Sequence, residues 1–355
     1  PYAENGGPGG FAHAARNITP VMAIVRAMEE LCPEAWFINF TNPMVRICDV
    51  ISRYSKIKVV GLCHQIFAGY GMAGYLLAPE LGIELPEGPI STYADPRFWA
   101  AIKRITAQAV ELIDIKAAGL NHFTWITDIR DRRSGEHLCP LLRQRAGMLA
   151  QIEPLTLRVF NAFGLFPVPG DTHLCEYLPW VSDPQTRPWE KLTLRLYDWE
   201  RAERARGEGH ELIKKMGAGL APVDELKGAT SEGALEIIEN VAGAGTHYAI
   251  AVNRPNSGQI SNLPGGAMVE TPALVSGAGV QPVAMGGLPV GIAELLRREI
   301  ERSGDASSKL TDPPVGRSNL STAFPRVLFP HPDSPTSAMV MPSVTVRSTV
   351  STAFT

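Results

Sequence analysis

The chain has 355 residues, of which 45% are hydrophobic and 19% are charged, enough for two domains or one large one. Its formal net charge of −3, with lysine and arginine scattered along the sequence, gives no electrostatic basis for binding nucleic acid or an anionic membrane. The longest weakly charged stretch, residues 267–296, is interrupted by prolines and glycines, which argues against a membrane-spanning helix.

The first part of the chain alternates stretches with helical spacing and short apolar stretches of strand length. Thr19 is a candidate N-cap for the first helix, Pro20 suits its first turn, and Pro33 ends it. Helix, strand, helix and strand in short order predict a parallel sheet with crossovers, the doubly wound α/β class. The predicted helices are one at 21–31, one that begins at 42, one that ends at 77 and one at 99–112. The predicted strands are at 35–40, 57–62, 114–118 and 124–130.

Beyond residue 130 the pattern changes, and we expect a second domain of the α+β class. Longer helices dominate, followed by two strand-like stretches, whereas serine, threonine and proline crowd the end without any period. We therefore predict a partial, Rossmann-like domain at 1–130, an α+β domain at 131–303, and a disordered or non-native tail at 304–355. The predicted elements after residue 130 are helices at 155–163, 189–216 and 232–241 and strands at 247–252 and 268–275.

The cysteines are odd in number and widely spaced, which argues against a disulfide framework. No signal peptide precedes them, and we expect a soluble, cytoplasmic protein in a reducing compartment. The chain opens with Pro1 inside the glycine-rich segment ENGGPGG, so we also expect it to be a piece of a longer protein. The cysteines are Cys32, Cys48, Cys63, Cys139 and Cys175.

Polar side chains follow the predicted strands at three places. Asn42 follows the first strand, Cys63 and His64 follow the second, and Asn121 and His122 follow the third. Ligands of open α/β sheets bind outside the carboxyl ends of the strands, where such loops lie. Each position also has an ordinary structural interpretation, because asparagine often caps helices and a free cysteine often behaves as a small buried hydrophobe.

A fourth polar cluster lies in residues 170–180, between loop signals at both ends. His173 is a candidate metal ligand there, with Glu176 as a supporting or acid–base group. The alternative is a plain helix start, with Glu176 as the partner in a capping box. One shared cleft explains four such clusters better than four unrelated structural roles do.

Taken together, these segments resemble glycoside hydrolase family 4, the NAD- and divalent-metal-dependent glycosidases. The resemblance runs from Tyr2 to about Arg302 and implies a lactate/malate-dehydrogenase-like Rossmann domain and an α+β domain, with the site between them. The matching segments are GGPGG (6–10), INFTNP (38–43), GLCH (61–64), GLNHFTW (119–125), HLCEYLPW (173–180) and VNRPNSGQISNLPGGAMVETPALV (252–275).

The resemblance implies a role for five of these residues. Cys63 and His173 match the family's protein ligands for Mn²⁺ or a similar divalent ion, and Asn42 and Asn121 match substrate-binding asparagines. His64 stands where members for unphosphorylated α-glycosides tend to have histidine and those for phosphorylated substrates tend to have aspartate. It is therefore the candidate acid for the leaving oxygen.

The resemblance also implies a reaction outside the two-carboxylate scheme of most glycosidases. In the family, NAD takes a hydride from C3 of the sugar, a base removes the C2 proton, and the metal stabilises the enolate before elimination. The implied partner is a small glycoside, and the implied assembly is a homodimer or homotetramer.

Two features depart from the family's pattern. The glycine fingerprint of the opening βαβ unit is missing, so we expect the chain alone to bind NAD poorly and to be inactive. Many members have a tyrosine as the C2 base in a Ser-Glu-Tyr-Gly-like stretch, whereas residues 231–234 read Ser-Glu-Gly-Ala here. Glu232 is then the candidate base, although a glutamate at a helix start also suits the helix dipole.

Two other functions fit parts of the sequence. An NAD-dependent 2-hydroxyacid dehydrogenase would share the fold but needs an arginine clamp and a His–Asp pair. A non-catalytic sugar-binding remnant of a glycosidase would explain the missing tyrosine. Glycoside cleavage without net NADH formation separates the glycosidase from both.

Overall fold

The computed structural model describes residues 3–88, 90, 95–194, 196–224 and 232–311. These residues belong to one compact unit, Pro1–Asp312. None of the helices in these ranges is both long enough and apolar enough to cross a membrane.

The described strands form one mixed sheet of eight strands, in the order β1-β2-β6-β7-β3-β4-β5, with β8 pairing beside β7. Strands β1 and β2 are parallel, and the other paired strands run antiparallel. The strands are β1 (Trp36–Asn39), β2 (Lys58–Gly61), β3 (Ile113–Leu120), β4 (Phe123–Asp131), β5 (Phe166–Pro167), β6 (His247–Pro255), β7 (Met268–Ser276) and β8 (Gly279–Pro282).

Helices cover both faces of this sheet, as the α/β class requires. The helices are α1 (Gly7–Leu31), α2 (Met44–Tyr54), α3 (Gln65–Leu76), α4 (Ala78–Leu81), α5 (Pro96–Leu112), α6 (Cys139–Arg145), α7 (Pro154–Phe163), α8 (Gly170–Tyr177), α9 (Pro188–Lys191), α10 (Trp199–Gly217), α11 (Ala234–Val241) and α12 (Val290–Thr311).

Because side chains alternate along the strands, the sheet packs against a layer of helices on each face. In β2, Val59 packs under α1 and α2, whereas the next residue, Val60, packs against α11 on the other face. In β3, Ile115 belongs to the core formed with α3 and α5, and Leu120 belongs to the core formed with α8 and α12. The α/β class predicted from the sequence is confirmed.

The first helix is longer than the sequence pattern indicates. It begins at Gly7, so the predicted start, with Thr19 as N-cap and Pro20 in the first turn, is wrong; Pro20 lies inside the helix. The reason is that one buried stripe continues across the proline. Packing of this stripe outweighs the hydrogen bond that the proline removes. The stripe consists of Gly10, His13, Ala14, Ile18, Val21 and Val25.

Strands from both predicted domains share the single sheet. β6 and β7, which come from the later part of the chain, lie between β2 and β3. The division at residue 130 stays a prediction. Helix α12 extends to Thr311, past the predicted start of the tail at residue 304, and the rest of that tail lies outside the described residues.

Candidate active site

One row of residues crosses the sheet and forms the floor of a site above it. The row exists because β6 and β7 bring later parts of the chain between the two earlier pairs of strands. Strand register aligns, from β1 to β4, Asn39, Gly61, Asn253, Glu270, Gly119 and Thr124.

Glu270 lies in the centre of this row, is buried, and accepts hydrogen bonds from side chains on both sides. Asn121 Nδ2 donates to it over 2.7 Å, Asn253 Nδ2 over 2.9 Å and Thr124 Oγ1 over 2.8 Å. Burial raises the pKa of Glu270, and these hydrogen bonds oppose that shift because they favour the carboxylate. Glu270 therefore fixes the amide of Asn121 at the floor of the site.

Two glycines in the row are required by close packing. A Cβ on Gly61 would lie 2.4 Å from Met44 Sδ and 2.9 Å from Asn253 Cβ. A Cβ on Gly119 would lie 2.6 Å from the backbone oxygen of Phe123. A larger residue at either position would push the strands apart beneath the site.

Cys63 follows the end of β2 and faces the turn between β3 and β4. Its Sγ lies 3.3 Å from Nε2 of His122, 59 positions later in the chain. Burial raises the pKa of the Cys63 thiol to about 12, and the charge of Glu270 adds to the shift. His122 has a positive φ of 59°, an uncommon backbone conformation for this residue type, in the tight turn that carries its buried ring.

His173 lies on α8 and stacks on His122, with ring centroids 4.4 Å apart and planes 11° from parallel. Its Nδ1 donates to Glu176 Oε1 over 3.1 Å. The other oxygen of Glu176 accepts backbone N–H bonds from Asn5 at 2.7 Å and Gly6 at 3.2 Å. Glu176 thus orients the His173 ring and ties it to the start of the chain.

The two stacked histidines have opposite pKa shifts. Burial lowers the pKa of His122 well below its ordinary value, and the neighbouring His173 lowers it further. Burial also acts to lower the pKa of His173, but the hydrogen bond and charge of Glu176 outweigh it and raise the pKa.

Glu4 brings a carboxylate to the same place. Its ligand atom and those of His122 and His173 all lie within 4.8 Å of one another. Glu4 Oε1 accepts a hydrogen bond from Asn42 Nδ2 at 3.2 Å and one from the Tyr197 hydroxyl at 3.3 Å. Glu4, His122 and His173 thus form one group of ligand atoms, and the Cys63 thiol adjoins this group through its contact with His122.

This donor set fits a borderline divalent cation, since thiolate, imidazole and carboxylate all bind such ions. Several buried polar atoms around it have no protein partner, whereas buried polar groups are normally hydrogen-bonded. A bound ion and its substrate would satisfy such atoms. The unpartnered atoms at the site are His122 Nδ1, Asn42 Oδ1, Asn121 Oδ1 and Gln65 Nε2.

His64 lies at the rim of the site, and 77% of its side chain is exposed. Its Nδ1 donates to Glu232 Oε1 over 3.1 Å. The hydrogen bond to Glu232 raises the pKa of His64, while partial burial opposes this. Ser231, the residue before Glu232 in the predicted base segment, lies outside the described residues.

A cavity of about 400 Å³ opens above the stacked rings and is lined by His64, His122 and His173 together with Tyr197 and Arg201. This volume is in the range of small-molecule sites. A second, more apolar cavity of about 590 Å³ adjoins it between α3 and α5 and shares the wall at His64.

The family of the chain follows from comparison with family models. Residues 2–74 match the model described as Family 4 glycosyl hydrolase, and residues 117–304 match its C-terminal domain. The chain belongs to glycosyl hydrolase family 4. The family resemblance of the sequence motifs is thereby confirmed.

The relatives are glycosidases and are longer than this chain. An α-galacturonidase of Bacillus subtilis (strain 168) is 28% identical over 314 residues, which is 83% of this chain and 63% of the relative. An α-galacturonidase of Thermoanaerobacterium saccharolyticum is 31% identical over 315 residues, 83% of this chain and 62% of that protein. The chain thus spans less than two thirds of the length of these curated relatives.

Solved structures share the fold. The Bacillus subtilis protein lplD, solved as a candidate glucosidase, has a TM-score of 0.67 and 28% identity, covering 86% of this chain and 67% of that one. A 6-phospho-α-glucosidase from gut microorganisms, in complex with NAD and Mn²⁺, has a TM-score of 0.60 and 18% identity, covering 86% and 65%.

In this family 4 chain, His64 and His173 line the cavity, and the other residues predicted from the sequence are linked to it by contacts. Cys63 and His173 both neighbour His122, and Asn121 is held from below by Glu270. Asn42 reaches the site through its contact with Glu4. Their assignment as metal ligands and substrate-binding groups stays a prediction.

The sequence interpretation missed Glu4, Tyr197 and Glu270, and gave His122 no role. Glu4 lies in the glycine-rich opening segment, and Glu270 lies inside the long family 4 motif that begins at Val252. Both lie in segments that carry the family resemblance, but only the folded chain shows that Glu4 lies beside the histidines and that Glu270 holds Asn121.

Proposed function

We propose that this chain supplies the substrate- and metal-binding part of a family 4 glycosidase that hydrolyses an unphosphorylated α-glycoside. The proposed cofactors are NAD and a divalent ion such as Mn²⁺. The observation that carries the proposal is the contact of Cys63 with His122, which stacks on His173 in the wall of the cavity, beside buried polar atoms without partners. The 6-phospho-α-glucosidase of the same fold holds both groups.

When bound, NAD exchanges a hydride with the sugar and the divalent ion acts as a Lewis acid on its oxygens. We assign Cys63 and His173 as protein ligands of the ion, with Glu176 orienting the imidazole through its Nδ1–H. Such carboxylate–histidine pairs fix the ring and raise its basicity as a ligand. The ligand atoms of His122 and Glu4 lie within 4.8 Å of that of His173, so both are further candidate ligands.

Asn42 and Asn121 are suited to bind sugar hydroxyls because a carboxylate fixes each amide in the same way. Glu4 accepts from the Nδ2 of Asn42, and Glu270 accepts from the Nδ2 of Asn121. Each Oδ1 is buried and without a protein partner. Both side chains therefore present a fixed acceptor, which a substrate hydroxyl would satisfy.

His64 is proposed as the acid that protonates the leaving oxygen. The hydrogen bond that His64 donates to Glu232 raises the pKa of the ring, which favours the protonated form that an acid needs. Because Glu232 contacts His64 directly, its simplest role is to hold this ring at the cavity rim. Its role as the base at C2 remains a second proposal.

Among unphosphorylated α-glycosides, we favour an α-galacturonide. Two relatives are α-galacturonidases, and Arg201 lines the cavity, where a guanidinium can pair with a sugar carboxylate. The glycine-rich segment 6–10 does not by itself indicate a nucleotide-binding loop. A Cβ on Gly6 would meet the backbone oxygen of Glu176 at 2.3 Å, so contacts within the chain explain this glycine.

Metal titration tests the proposal without requiring turnover. Under reducing conditions the purified chain should bind Mn²⁺ saturably, and galacturonic acid should tighten that binding. Cys63→Ser and His173→Ala should each abolish the effect of the sugar, whereas Cys32→Ser, which changes an exposed thiol, should not. Metal binding that is indifferent to both cluster variants would refute the assignment.

Turnover provides the second test. The complete gene product, with NAD⁺, Mn²⁺ and reductant, should cleave nitrophenyl α-galacturonide faster than its α-glucoside or 6-phospho-α-glucoside counterparts, without net NADH formation. Net NADH from a 2-hydroxy acid would favour the dehydrogenase, and tight sugar binding without cleavage would favour the non-catalytic sugar-binding remnant.

A further inference from the structure

A second group of potential metal ligands lies on a hairpin-like arrangement at the end of β4. An isolated antiparallel bridge pairs Arg130 with His137, and Leu138 N donates to the oxygen of Ile129 over 2.9 Å. Cys139, two residues after His137, is the first residue of α6. The bridge and the start of the helix bring His137 and Cys139 back beside Asp128 on β4.

These three side chains are already close together. The Nε2 of His137 lies 3.5 Å from Oδ1 of Asp128, and the ligand atoms of Asp128, His137 and Cys139 all lie within 4.8 Å of one another. Ligands bound to a single zinc ion at about 2.0–2.3 Å lie roughly 3.3–3.8 Å apart in a tetrahedron. Side-chain rotations alone can therefore bring the three atoms onto one ion.

The carboxylate of Asp128 is shared with one neighbouring cation. Arg130 Nε donates to Oδ2 over 3.1 Å, and its NH1 group donates to the backbone oxygen of Gly135 over 3.3 Å. Arg130 thus fixes the orientation of the carboxylate through one oxygen. Oδ1 faces His137 and is not the oxygen that Arg130 contacts.

We propose that Asp128, His137 and Cys139 form a second divalent-metal site, which binds Zn²⁺ with water as the fourth ligand. A thiolate, an imidazole and a carboxylate are ligands that zinc accepts together, and the thiolate selects against Mg²⁺ and Ca²⁺. His137 is 46% exposed, so an ion and its water can enter from solvent. Cys139 is half-buried, which shields the metal–sulfur bond.

This site is separate from the proposed active site. None of its three residues lines the 400 Å³ cavity of the described chain, and its ligands come from β4, the segment after it and the start of α6. An ion here would join the end of β4 to the following helix. Because it binds the folded arrangement, it should raise the unfolding temperature of the chain.

The test uses the full chain with Cys63→Ser, which removes the thiolate of the proposed active site. One thiolate-bound Co²⁺ per chain should appear as a sulfur-to-cobalt charge-transfer band, and Zn²⁺ should displace it. Adding Cys139→Ser should abolish the band, whereas adding Cys32→Ser should leave it unchanged. Adding His137→Gln, a change of an exposed side chain, should weaken Co²⁺ binding by at least about tenfold.

Circular dichroism of each variant in chelator keeps a folding defect apart from a binding defect. Absence of the cobalt–thiolate band in folded Cys63→Ser protein would overturn the proposal. A band that survives Cys139→Ser would also overturn it, because another thiol would then be the ligand. Neither result would bear on glycosidase activity, since the site does not rest on the proposed function.

Discussion

The chain contains two groups of cysteine and histidine that differ in how the fold builds them. The buried cluster, Cys63, His122 and His173, joins a strand end, a turn and a helix that are far apart in the sequence. The surface cluster, Asp128, His137 and Cys139, comes from one local hairpin. The first requires the whole sheet to be assembled, whereas the second requires only one correct turn.

The surroundings of the two clusters differ accordingly. Glu176 orients His173 and Glu270 holds Asn121 in the floor of the site, and each carboxylate is itself held by backbone or side-chain donors. The surface cluster has Arg130 as its one described supporting ion pair. Side chains held by several hydrogen bonds and buried polar atoms without partners are typical of a functional centre. A solvent-facing cluster, in contrast, is tolerated by the fold with or without a bound ion.

The largest contrast is expected in catalysis. Cys63→Ser should lower metal-dependent glycoside turnover of the complete enzyme by more than about 100-fold, because loss of a direct ligand exceeds the usual effect of losing its support. Cys139→Ser should leave turnover unchanged. Initial rates at saturating NAD⁺ and Mn²⁺ measure both, and equal losses would erase the distinction between the clusters.

The next contrast concerns stability. Glu270→Ala should lower the free energy of unfolding by about 3 kcal/mol or more, because three buried donors lose their acceptor. Asp128→Ala should change it by only about 0.5 kcal/mol. Urea unfolding of the metal-free chain measures both values. Glu270→Gln, which keeps an acceptor oxygen, should fall between them.

A smaller effect is expected from the residue that orients His173. Glu176→Gln should weaken metal binding at the buried cluster by about 10–100-fold, since it removes the charged partner of the ring. Zinc binding at the surface cluster should not change. Calorimetric titration of the Cys139→Ser background isolates the buried cluster, and unaltered affinity there would remove Glu176 from the site.

The smallest effect should appear when the surface cluster is changed without metal. Cys139→Ser in chelator should alter the free energy of unfolding by no more than about 0.5 kcal/mol, because the thiol is half-buried. With Zn²⁺ added, the unaltered chain should gain thermal stability and the variant should not. A large loss in chelator would mean that Cys139 is chiefly a packing residue.

The sequence predicts the helices and strands better than it predicts which distant residues meet in the folded chain. Apolar runs gave β1, β2 and most helices, and polar residues after strand ends gave Cys63 and His64, because both signals are local. The row through Glu270 depends on β6 and β7 entering between β2 and β3, and no local pattern reveals that order. The first helix was predicted too short because Pro20 is a strong local signal that packing overrides.

Strand β1 pairs on one side only within the described residues, with β2. Its other edge presents backbone groups to which a further strand can bond, and a parallel addition would continue the direction of the pair. The loop that follows such a strand would lie at the same edge of the sheet as Asn39 and Gly61, the last residues of β1 and β2, close to Cys63. A nucleotide bound by that loop and a sugar bound by the later part of the chain would then lie on the two sides of one cleft and face each other.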